Sequence, residues 1–132
     1  MSDDLTRRQV YEAGLAKRRQ VVGTEYVDQA LADTDEFTQP IQELITEYCW
    51  GTVWTRAGLD DKTRSFLNLV MLTALNRSQE LATHVRGAIT NGATEEEIQE
   101  VLLQTAIYLG VPAALESFRV ADRVLKELRE MS

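Results

Sequence analysis

Apolar residues in this chain recur at three- and four-residue spacings, and Gly23, Gly51, Gly58, Gly92 and Gly110 fall between the periodic stretches rather than inside them. That spacing predicts helices, because residues three and four apart share one face of a 3.6-residue turn. Only Pro40 and Pro112 are present to interrupt them, and no stretch alternates in the manner of a strand. The expected fold is therefore all-α: a helical bundle of about six to seven helices in a single domain spanning 1–132.

Asp3 or Asp4 caps a first helix reaching about Val22, and its basic cluster, Lys17, Arg18 and Arg19, reads as a solvated face. A short helix carries Tyr26, Val27, Ala30 and Leu31. Thr38 and Pro40 open the next, with Ile41, Leu44, Ile45 and Tyr48, which leads into a loop from Trp50 to Leu59. Asp60 or Asp61 caps a helix that is apolar nearly all round from Phe66 to Leu75, and such a helix is expected at the centre. Ser78 starts another that closes at Asn91-Gly92, and Thr94 with Glu97 forms a capping box for the helix ending at Gly110. In the last helix Val111, Ala114, Phe118, Ala121, Leu125 and Leu128 make a heptad-like seam, suited to the core or to another subunit. Gly14 and Gly87 are the two glycines that fall inside helices.

Charge and cysteine usage exclude whole classes of function. Asp and Glu number 21 against 14 Lys and Arg, a net charge of -7, which opposes nucleic-acid binding. Cys49 is the only cysteine, so an internal disulfide, a CxxC redox pair and a cysteine-based metal cage are excluded. No run approaches the ~18 apolar residues of a membrane span, and the amino terminus has no secretory pattern, so a cytoplasmic protein is expected. There is no glycine-rich phosphate loop, and only Lys17, Lys62 and Lys126 are available for a Schiff base, so no cofactor is expected.

His84 is the only histidine, with Glu80 one helical turn before it. A carboxylate beside an imidazole favours the protonated ring, which predicts a general acid near neutral pH. The alternative is an ordinary intrahelical pair on a wet surface. Metal binding is set aside, since one histidine leaves a metal mostly carboxylates. Arginine outnumbers lysine 11 to 3, and Arg56, Arg64 and Arg77 near the aromatic segment and the middle helices are candidates for two-pronged carboxylate binding. Trp50 and Trp54 are read either as a wall or lid over a pocket or as anchors of their loop on the core. Tyr108 is a candidate hydrogen-bond donor at a helix end.

Several stretches, in their order and spacing, resemble the carboxymuconolactone decarboxylase family across about Val21 to Val124. They are Glu25-Tyr26-Val27, Tyr48-Cys49-Trp50-Gly51 with Val53-Trp54-Thr55-Arg56, Thr63-Arg64-Ser65, Glu80 to Ala88, Asn91-Gly92, and Tyr108 to Ala114. The wider superfamily is similar to the alkylhydroperoxidase-like helical fold, whose redox members carry CxxC followed four residues later by histidine. Arg77 and Glu80 stand at those cysteine positions and His84 at the histidine. Ala57 replaces an expected proline and Leu109 an expected cysteine.

The resemblance implies cofactor-independent decarboxylation of γ-carboxymuconolactone to β-ketoadipate enol-lactone and carbon dioxide, in protocatechuate catabolism. His84 would act as general acid with Glu80 supporting it, while Arg64, Arg77 and Arg56 bind a carboxylate and Trp54 and Tyr108 complete the substrate pocket. It also implies a homo-oligomer, trimer or hexamer, whose partners are small lactone dicarboxylates. Two other functions compete: a peroxidase-type antioxidant of the same fold, and a non-catalytic helical oligomer that binds a small acidic ligand.

Overall fold

A computed structural model describes residues 5–132. Among them there is no strand; the elements are α1 (Arg7–Val22), α2 (Thr24–Ala32), α3 (Gln39–Leu44), a π-helix (Ile45–Trp54), α4 (Asp61–Leu75), α5 (Ser78–Thr90), α6 (Glu95–Tyr108) and α7 (Val111–Met131). The all-α expectation holds. No helix among the described residues is long and apolar enough to cross a membrane. The chain forms two compact units, one ending at Asp60 and the other comprising Asp61–Ser132.

In the first unit the cap of α1 is Thr6. Its hydroxyl accepts from the Gln9 backbone N–H at 3.1 Å, and the Gln9 side chain accepts from the Thr6 N–H at 2.8 Å. Asp3 and Asp4, the expected caps, lie outside the described residues. The segment from Trp50 to Trp54 is not a loop, as expected, but the second half of a π-helix that continues directly from α3. Its packing against α1 depends on two glycines. A Cβ on Gly14 would stand 2.6 Å from Gly51 N, and one on Gly51 would stand 2.5 Å from Val10 O, so backbone meets backbone at this crossing.

Arg18 corrects the expectation of a solvated basic face. It is 4% exposed and donates from Nη1 to Gln42 Oε1 at 2.9 Å and to Thr46 Oγ1 at 3.3 Å. Burial holds its pKa below the ordinary arginine value. Its neighbours in sequence hid this, because a run of three cations reads as surface while the helix turns each one to a different side. Val21, Val22, Val27, Trp50 and Trp54 form the apolar core of this unit.

In the second unit Leu69, Leu81, Val85, Ile98, Leu102, Val120 and Val124 are buried together. The Thr94–Glu97 capping box forms as expected, and Gly92 takes the positive φ that closes α5. On α7, Ala114 and Ala121 of the seam are buried and Phe118, Leu125 and Leu128 pack against the core, while Val111 stays exposed. α4 is less central than its composition suggests. Leu69 is buried with Ser65 and Thr73, yet Leu67, Val70, Met71 and Leu75 reach solvent. An all-apolar helix needs neighbours all round, and α5, α6 and α7 cover only part of this one. Thr73 donates its hydroxyl to Leu69 O at 2.7 Å and accepts from Ser117 at 2.8 Å, so the buried polar pair is satisfied.

Candidate active site

Asn68 and His84 meet where α4 lies against α5. The amide Nδ2 of Asn68 is 3.3 Å from Nδ1 of His84, and both side chains are half-buried. Leu81, Val85 and Ala88 turn the side of α5 next to His84 into the core, which leaves His84 at the edge of the buried face. Sequence reasoning missed Asn68. Its signal is an amide inside a helix that is otherwise apolar.

The protonation state of His84 is the reverse of the one expected. Burial lowers its pKa from 6.5 to about 4, and the opposing pull of the Glu80 carboxylate is the smaller effect. The ring is therefore neutral at pH 7. Glu80 is exposed, so water screens its charge, while the imidazolium would lose hydration in the site.

Arg64 lies one turn before Asn68 on the same face of α4 and is half-buried. Arg77 is the N-cap residue of α5 and exposed, two turns ahead of His84. Tyr108, at the end of α6, is 72% exposed and lines an apolar cavity of about 390 Å³ with Phe66, Leu67, Val70, Val101 and Leu109. Leu109 thus occupies as a plain hydrophobe the position where the family resemblance expected a cysteine.

Arg56 and Trp54 belong to the first unit. Arg56 is exposed in the turn that follows the π-helix. Trp54 is no lid: it is 4% exposed and its ring lies 4.7 Å from that of Trp50, inside the core. Five extra residues of helix carry the indoles inward that a loop would have left at the surface. Cys49, on the same π-helix, is exposed.

The chain is 45% identical to the nitrosuccinic acid decarboxylase of Metarhizium robertsii, over 96% of this chain and 88% of that one. It is 38% identical to the 4-carboxymuconolactone decarboxylase of Acinetobacter baylyi, over 91% of this chain and 90% of that one. The carboxymuconolactone decarboxylase family pattern matches residues 39–123, a stretch that contains Arg64, Asn68, Arg77, Glu80, His84 and Tyr108. By both measures this chain belongs to the carboxymuconolactone decarboxylase family.

Proposed function

We propose that this chain is a cofactor-independent decarboxylase of a small dicarboxylate in which the departing carboxylate lies next to an electron acceptor, with γ-carboxymuconolactone as its substrate in protocatechuate catabolism in the cytoplasm. The observation that carries this reading is a half-buried, neutral His84 anchored by Asn68 within a stretch similar to two decarboxylases. In the lactone the carbon–carboxylate bond breaks, carbon dioxide leaves, and the electron pair moves through the ring double bond onto the lactone carbonyl oxygen. His84, as a neutral donor, hydrogen-bonds that oxygen as its charge develops. The ring's proton affinity rises beside the new negative charge, and His84 relays a proton from water to the ring carbon. Glu80 supports the ring's passing positive charge. Arg64 and Arg77 hold the carboxylate that stays, and Tyr108 lends a hydroxyl.

The 45% identity favours a second substrate, nitrosuccinic acid. Its nitro group takes the acceptor's part, and the electron pair left by carbon dioxide comes to rest on the nitro oxygens. Carbon dioxide release from each compound by metal-free protein, with His84→Ala alongside, tests both readings. Turnover of the lactone that is lost in His84→Ala is the expected result. Turnover of the nitro acid alone would move the substrate assignment, and turnover of neither would overturn the proposal.

A homo-oligomer, trimer or hexamer, forms part of this reading. Leu67, Met71, Leu75, Leu103 and Ile107 are large apolar side chains exposed on the second unit, more than a solitary domain leaves bare without cost. Sedimentation equilibrium is expected to give three or six chains per particle, and a monomer at micromolar concentration would refute it.

A further inference from the structure

Arg18 of α1 is a buried cation that the chemistry of His84 leaves unused. Within the first unit its side chain reaches α3 and the π-helix, and both of its hydrogen bonds leave from Nη1, to the neutral side chains of Gln42 and Thr46. The Nε–Nη2 edge, a side of the guanidinium that can grip a carboxylate through two parallel bonds, takes part in neither. Among the described residues the groups that act on its charge are the phenols of Tyr26 and Tyr11 and the thiol of Cys49. None is a carboxylate, in a chain that has 21 of them. A guanidinium taken out of water is costly without a counter-charge, and phenols and a thiol around it are hydrogen-bond donors that suit an anion. Tyr26 is 47% exposed and Cys49 is exposed, so the cluster reaches the surface.

We propose that the first unit carries an anion site in which Arg18 takes one carboxylate of a small organic acid along its Nε–Nη2 edge, with Tyr11, Tyr26 and Cys49 beside it. Gln42 and Thr46 hold the guanidinium by its other nitrogen, so the fork is fixed before the anion arrives. The site is independent of the decarboxylase reading of His84.

Alkylation of Cys49 by iodoacetamide at pH 8 reads this site in the full-length protein, since Cys49 is the only thiol in the sequence. Arg18 favours the Cys49 thiolate, and the thiolate is the form that reacts. A carboxylate on the guanidinium cancels that influence. Sodium acetate, exchanged for sodium chloride at constant ionic strength, is expected to slow the wild-type reaction about threefold or more and to saturate in the millimolar range. In Arg18→Lys, which keeps the charge and loses the fork, the rate without acetate should stay within about twofold of wild type and the acetate effect should vanish. Gln42→Glu supplies a carboxylate from within, beside the guanidinium, and should remove the acetate effect as well; it serves as the deciding variant if Arg18→Lys fails to fold by circular dichroism. A wild-type rate that acetate leaves unchanged, or protection that persists in the folded variants, would refute the site. Inorganic phosphate should protect less than acetate, and stronger protection by phosphate would overturn the assignment to a carboxylate.

Discussion

Glu80 stands one turn before His84 on α5, and its carboxylate loses to burial in setting the charge of the ring. The pair looks like a device for keeping an imidazolium. With Glu80 exposed and His84 half-buried, it is a neutral imidazole with a screened carboxylate nearby.

Stability is expected to fall in mild acid because of this ring. Between pH 6.5 and about 4 the unfolded chain binds a proton at His84 and the folded chain does not, so the contribution is fully present above 6.5 and is lost as the pH falls toward 4. The shift corresponds to about 3 kcal/mol as an upper bound. His84→Gln should flatten the urea-midpoint profile across that window. A profile as steep as that of the wild type would show that other groups cause it.

Removing the ring should abolish most turnover. His84→Ala is expected to lower kcat by roughly 10²- to 10⁴-fold with far-UV circular dichroism unchanged. Glu80→Gln, which removes an exposed charge, should cost less than about tenfold. Steady-state kinetics on both carboxylic acids check this, and equal losses in the two variants would reinstate the carboxylate as an essential partner.

At the crossing of α1 and the π-helix, Gly14→Ala is expected to destabilise. The added Cβ would lie 2.6 Å from Gly51 N and 2.8 Å from its Cα, and backbone cannot rotate away as a side chain can. A loss of about 1–3 kcal/mol is expected, outweighing the better helix propensity of alanine. Gly58→Ala is the control, since nothing lies within 4 Å of its Cβ position, and it should change stability by less than about 0.5 kcal/mol. Chemical denaturation of the two variants would expose the error if they behaved alike.

Thr94→Ala should cost about 1 kcal/mol by removing the hydroxyl that accepts from the Glu97 N–H at 3.0 Å. Glu97 also pairs with Lys62 Nζ at 3.1 Å, and that bond survives the change. A melting temperature unchanged within error would mean that water caps α6 equally well.

Much of the helical order is written locally. Thr94 and Glu97, Gly92, Gly110 and Pro112 act through their own backbone and one neighbouring turn, and each bounds its helix where the spacing predicts. His84 with Glu80 was legible for the same reason, being one turn of one helix. Asn68 was not, because its meaning depends on α5 crossing α4 at the level of His84. Arg18 and Trp54 were misjudged alike, as a surface cation and as a residue of a loop.

What the sequence by itself determined is the all-α class, the boundaries set by caps and glycines, the exclusion of dithiol chemistry by a lone Cys49, and the identity of the single histidine. Tertiary structure alone decided the charge of that histidine, the nitrogen that faces Asn68, and which apolar faces of α4 stay bare. The division has a physical cause. Capping and periodicity are short-range, carried within one or two turns, whereas desolvation and side-chain partners depend on what distant segments bring alongside, and no spacing along the chain encodes that distance.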